Sequence, residues 1–204
     1  MKKVLVTVAA VLCLPAFAAA QTEGRVSVGA SVGRIVPSDG DVDPVTVYGV
    51  VARLNPKRGW GPAGAFNWFR ADIDNPDGSD GDFARMRIRP LMGGIAYTIG
   101  PEKFLTSFSI VAGPSFNSID FRDEFLDRFG SGPRPSIDME TSFAVRPGVN
   151  LTYSIAPRVG IVGFVGYLFN RPGIVYRDVN GTEFDDEWKA DAAVFSIGAV
   201  YSIF

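Results

Sequence analysis

The chain has 204 residues, room for one domain, and a formal charge of -2 with no histidine. No basic stripe is present, which argues against a nucleic-acid partner. The missing histidine takes the commonest general base away from any catalytic reading.

Residues 1–20 read as a secretory leader. Lys2 and Lys3 precede an apolar run from Val4 to Leu14, Pro15 breaks it, and Ala18-Ala19-Ala20 offers a cleavage site before Gln21. The run is too short for a membrane-spanning helix, which takes about 20 apolar residues. Residues 21–204 are then the mature domain. Cys13 leaves with the leader, so no thiol or disulfide chemistry is expected, and 18 basic residues face 22 acidic ones.

Eight strands are predicted, over about residues 24–35, 45–54, 63–73, 83–98, 104–118, 139–153, 158–169 and 190–204. Several exceed the roughly 9–11 residues that a tilted strand needs to cross a bilayer. Connections 36–44, 72–82, 119–138 and 170–189 are long, whereas 55–62, 100–103 and 154–157 are short and carry Asn-Pro, Gly-Pro and Ala-Pro turns. An even strand count with alternating long and short connections predicts an all-β, closed, antiparallel eight-stranded transmembrane barrel. Both ends would lie on the short-turn side. With flanking residues through Asp191 the long loops hold 19 acidic and 6 basic residues, so the outer rim is expected to be strongly negative.

Parity assigns the faces. In the first strand Ser27, Gly29, Ser31 and Gly33 oppose Val26, Val28, Ala30 and Val32; in the last, Ser196, Gly198 and Ser202 oppose Phe195, Ile197, Tyr201 and Ile203. Small residues suit a narrow interior and bulky apolar ones suit lipid. A secreted soluble barrel would reverse the faces and is the competing fold. In the fourth strand Leu91, Ile95 and Tyr97 share a parity with Arg85, Arg87 and Arg89, so a bulge is expected at Pro90 or at Gly93-Gly94. Trp60, Trp68, Trp188, Tyr48, Tyr97, Tyr153 and Tyr201 lie near strand ends, where interfacial girdles form.

The leader, the eight long alternating strands and Phe204 resemble the outer-membrane β-barrel superfamily, and within it the small barrels of OmpA-transmembrane-domain, OmpX and OmpW type. The resemblance implies residence in the cell outer membrane and insertion by the barrel assembly machinery, whose signal a C-terminal aromatic such as Phe204 forms part of. The family usually has an apolar residue two positions earlier, where this chain has Ser202. No periplasmic module is expected beyond Phe204. A monomer with a structural or surface-interaction role is the leading function, in contact with outer-membrane lipid and lipopolysaccharide; a narrow conduit for small or hydrophobic solutes is the alternative.

Arg85, Arg87 and Arg89 are spaced by two opposite Met86 and Ile88, and are expected in the lumen, because an arginine facing lipid at midplane costs about 2–4 kcal/mol. Buried arginines need acceptors; Glu140 is the expected one, with Asp138, Asp72 and Asp191 as further candidates and Arg146 as another interior charge. Such a network is either a salt-bridged plug or a selectivity constriction. Asp72, Asp74, Asp77, Asp80 and Asp82 crowd one loop with hard oxygen ligands of the kind Ca2+ or Mg2+ takes, though without the EF-hand spacing. With Glu183, Asp185, Asp186 and Glu187, they could bind divalent ions weakly and bridge to outer-leaflet phosphates; a merely solvated loop is the competing reading. Phe121, Phe125 and Phe129 recur at helical spacing, suited to packing over the barrel mouth, contact with lipid or a partner, or disorder. Gly29-Ala30-Ser31-Val32-Gly33 matches the G-x-S-x-G nucleophile pattern, but mid-strand and with no base, so no enzyme is expected.

Overall fold

The computed structural model describes residues 25–38, 43–55, 58–74, 82–101, 103–127, 132 and 134–203. The leader at 1–20 and Phe204 lie outside the described residues. In chain order the elements are β1 (Arg25–Pro37), β2 (Val45–Asn55), β3 (Gly59–Asp74), β4 (Asp82–Ile99), β5 (Phe104–Phe121), α1 (Asp123–Leu126), β6 (Ser136–Met139), β7 (Ser142–Ala156), β8 (Val159–Leu168), β9 (Gly173–Arg177), β10 (Glu183–Glu187) and β11 (Ala192–Ser202).

Eight of the strands close an antiparallel barrel in the order β1-β11-β8-β7-β5-β4-β3-β2. β1 pairs with β2 on one side and β11 on the other, so the wall has no open edge. Closure is what hydrocarbon demands, since an unpaired backbone N–H or C=O there has no water to turn to. The faces follow the alternation. Val28, Val32, Phe195 and Ile197 are exposed on the outer wall, while Ser27 and Val194 are buried within. The soluble-barrel alternative needs the opposite arrangement.

The wall is taller than a bilayer on one side. β4 and β5 each run 18 residues. At about 3.3 Å per residue and a tilt near 40°, such a strand rises ~45 Å, against an apolar band of ~25 Å in barrels of this kind. The surplus lies at the end carrying the long connections.

β4 needs no bulge at Pro90 or Gly93-Gly94. Its pairing with β5 passes from Pro90↔Ser115 to Gly93↔Ala112 in one register, and the only slip against β3 lies at Ile73/Asp74. The ladder to β3 merely skips from Phe66↔Leu91 to Phe69↔Ile88, where Pro90 has no N–H to donate. The whole strand therefore keeps one phase, with Met86, Ile88 and Met92 buried inside and Leu91, Ile95 and Tyr97 outside.

Two predicted segments are divided differently. The strand expected over 139–153 is β7, which begins at Ser142 and runs to Ala156; β6, Ser136–Met139, falls almost wholly in the connection expected over 119–138, leaves the wall and pairs with β9. The connection 170–189 contains the hairpin β9–β10, which with β6 makes a three-stranded sheet at the long-loop end. α1 is a single turn. Phe121 and Phe125 pack at 5.1 Å, and Phe83 approaches them at 5.0 and 4.7 Å, so this segment folds into an aromatic cluster with Tyr176 near the barrel mouth. Phe129 lies outside the described residues.

Candidate functional site

The interior is layered. Toward the short-turn end it is polar, with Ser27, Thr98, Ser107, Asn150 and Thr152 buried; Thr98 and Ser107 join hydroxyls at 3.0 Å, and Asn150 donates to Ser109 Oγ at 3.2 Å. Toward the other end Ile35, Val47, Phe69, Met86, Ile88 and Leu168 fill the lumen with apolar side chains. Opposite them runs a polar chain. Ser115 donates to Asn117 Oδ1 at 2.7 Å, Asn117 to Ser142 Oγ at 2.8 Å and Ser142 to Asn170 Oδ1 at 2.5 Å, while Asp191 accepts from the Asn170 backbone N–H at 3.0 Å.

Arg146 crosses the space between the layers. It is 6% exposed, donates from Nη1 to Asn67 Oδ1, and stacks its guanidinium 4.5 Å from the Phe164 ring centre. Arg146 is on β7 and Asn67 on β3, with β5 and β4 between them in the wall, so this bond spans the lumen. Eight strands leave an interior about one layer of side chains wide. Among the described residues the Arg146 Nε has no hydrogen-bond partner. Arg53 enters the lumen by parity on β2, beside Ser27 of β1. Asn67 and Phe164 are the candidate site residues that parity alone leaves anonymous; only the closed strand order sets them against Arg146.

The arginine triplet faces the other way. Arg85, Arg87 and Arg89 lie outside the wall, and Met86 and Ile88, expected from the sequence to face lipid, are 2% and 1% exposed inside. The expectation rested on the cost of an arginine at the lipid midplane. Height reduces that cost: in the β3–β4 register Arg89 stands level with Trp68, Arg87 with Arg70 and Arg85 with Asp72, so the triplet starts at the upper aromatic level and runs away from midplane, where the cost of an outward arginine falls. Their carboxylate partners are likewise on the wall: Asp72 accepts from Arg85 at 2.8 Å and lies 3.8 Å from Arg122, and Asp120 lies 3.3 Å from Arg87. Glu140 is not the partner. It is exposed in the link between β6 and β7, where its backbone carbonyl accepts from Asn117 at 2.9 Å, and among the described residues it forms no ion pair. Asp191 pairs with Arg171 at 3.6 Å.

Aromatic residues mark two levels on the outside. Trp60 and Tyr97 pack at 5.1 Å near the short turns, and Tyr48 and Trp68 at 6.2 Å further up. Tyr153 and Tyr201 are exposed near the same lower level, whereas Trp188 packs against the interior core and belongs to neither.

No family model matches the chain, and no curated protein matches its sequence. Solved structures do. The outer-membrane protein OprG of Pseudomonas aeruginosa superposes with a TM-score of 0.69 at 14% identity, over 88% of this chain and 96% of that one. The shared fold is the small closed barrel of eight antiparallel strands. OmpW of E. coli gives a TM-score of 0.58 at 18% identity, over 90% of this chain and 100% of that one. A major outer-membrane protein of Thermus thermophilus gives 0.58 at 15% identity, over 88% and 99%.

Of the acidic loop proposed for divalent ions, Asp72 is the describable member, and it is engaged by Arg85 and Arg122. Asp77 and Asp80, and the side chains of Asp74 and Asp82, lie outside the described residues. Among the described residues no three His, Cys, Asp or Glu side chains converge as metal ligands. In the β9–β10 turn, Asp178 Oδ1 accepts from the backbone N–H groups of Asn180 and Thr182, both at 2.8 Å. The Thr182 bond, with help from Asn180 and Gly181, holds the Asp178 carboxyl below its ordinary range.

Proposed function

We propose that this chain is an integral outer-membrane barrel, sealed by its own side chains, that serves the envelope through its outer wall and long extracellular loops without catalysis. The observation that supports this most is the Arg146–Asn67 bond across the lumen, capped by the Phe164 ring below a packed apolar layer. A guanidinium bonded across an interior just wide enough for side chains opposes passage of solutes. The outward apolar wall and the fold it shares with outer-membrane proteins support the location. A monomer inserted by the barrel assembly machinery and surrounded by lipid and lipopolysaccharide fits a wall that closes on itself and needs no partner edge.

Heat-modifiable migration with outer-membrane fractionation tests the location, and a sugar-uptake assay in reconstituted liposomes tests the seal. Impermeable liposomes support the reading and swelling liposomes overturn it. The apolar upper lumen favours a second reading, in which a small hydrophobic compound enters between Phe69, Met86 and Leu168. Saturable quenching of an apolar fluorophore, lost in Met86→Lys, would select it.

A further inference from the structure

We propose that the outer wall of β3 and β4 carries a binding site for the phosphorylated headgroup of an outer-leaflet lipid, built from Arg70, Arg85, Arg87 and Arg89. The inference rests on the outer-membrane reading and adds a specific partner to it. Charge comes first. Arg70, Arg85, Arg87, Arg89 and Arg122 are five cations on or just above this wall; among the described residues Asp72 pairs with Arg85 and Arg122, and Asp120 with Arg87. Two of the cations oppose each other directly, since Arg70 and Arg87 are register partners. Like charges facing across a ladder destabilise a sheet unless an anion lies between them. Arg70 has the Trp68 ring as its neighbour, 5.3 Å from its guanidinium, which positions the charge without neutralising it.

Height comes second. Along the outer face of β3 run Trp60, Pro62, Gly64, Phe66, Trp68 and then Arg70. Eight residues separate the two tryptophans, a rise of ~20 Å for a strand tilted by about 40°, and Arg70, two residues further, stands ~25 Å above Trp60, the height of the apolar band of such barrels. Arg70 and Arg87 therefore lie at the upper edge of the hydrocarbon, within reach of headgroup phosphates. Directly below them Phe66, Leu91 and Phe116 are exposed and apolar, ready for acyl chains. A free phosphate would use the arginines alone; a lipid uses both halves of the surface. Guanidinium forks match phosphate oxygens in pairs, which a lysine row would not do.

The test uses the refolded chain in detergent with diphosphoryl lipid A, followed by native mass spectrometry. The variant Arg70→Gln/Arg87→Gln/Arg89→Gln is compared with Arg58→Gln/Lys103→Gln/Arg158→Gln, which removes equal charge at the opposite end. Heat-modifiable migration of each variant reports the barrel separately, so failure of the site and failure of the membrane fold are distinguishable. The expected result is saturable one-to-one binding weakened about ten-fold or more by the first set and little changed by the second, with dephosphorylated lipid A binding as poorly as the first variant. Equal loss in both sets would reduce the surface to diffuse charge, and full competition by millimolar inorganic phosphate would make it a free-anion site. No loss in the first set would also overturn the proposal.

Discussion

Removing the acceptor from the lumen arginine tests the central layer. In Asn67→Ala, Arg146 keeps its charge and the Phe164 ring but loses its Asn67 bond, while its Nε already has no hydrogen-bond partner among the described residues. A hydrogen bond to a charged group contributes about 1.5–3 kcal/mol, and this guanidinium is 6% exposed, so little solvent screening reduces it. Asn67→Ala should therefore lower unfolding stability by roughly 2–3 kcal/mol. Arg146→Met removes the buried charge while keeping most of its volume, and should cost less than Asn67→Ala or even stabilise. In the double variant the Asn67 penalty should largely vanish, giving a coupling of about 1.5–3 kcal/mol. Equilibrium urea unfolding in detergent, followed by tryptophan fluorescence and gel mobility, measures all four corners. Additive effects, or a cost for Asn67→Ala under about 0.5 kcal/mol, would refute the claim that this bond braces the lumen.

Glu140→Gln should leave the unfolding midpoint within about 0.5 kcal/mol of the parent, because the carboxylate is exposed and unpaired among the described residues. Gly33→Val should do far more. A Cβ there would lie 1.9 Å from the Phe195 carbonyl oxygen at the β1–β11 seam, so loss of the compact unboiled gel band is expected. The Asp178 turn should respond to acid. Its folded-state pKa lies below the unfolded one, so the stability it adds is present above the unfolded value and disappears as pH falls through the folded value. The Thr182 and Asn180 amide resonances should shift across that acidic range, and Asp178→Asn should abolish the shift.

The wall was legible because alternation is local. Val28 against Gly29, or Phe195 against Ser196, assigns its face without knowledge of any partner strand. The arginine triplet was misread because parity says which residues share a side but not which side it is. The cost of charge in hydrocarbon points inward only at midplane, and height above the membrane, which decides the cost, depends on strand lengths that sequence bounds loosely. Met86 and Ile88 signalled the answer together with Leu91, Ile95 and Tyr97: one unbroken phase needs no bulge, whereas lumen arginines needed one. The Arg146–Asn67–Phe164 group was illegible for another reason. Its members lie on β7, β3 and β8, and only the closed strand order sets them across one lumen. The β9–β10 hairpin was hidden because Glu183–Glu187 is exposed throughout and carries no alternation to read.

Single-channel recording in planar bilayers tests the sealed lumen most directly. The parent barrel, with insertion verified by heat-modifiable migration, should give no steady openings, and Arg146→Ala/Phe164→Ala should stay closed as well, because the apolar layer of Phe69, Met86, Ile88 and Leu168 still fills the lumen above them. Steady, discrete openings from the parent chain would contradict the account.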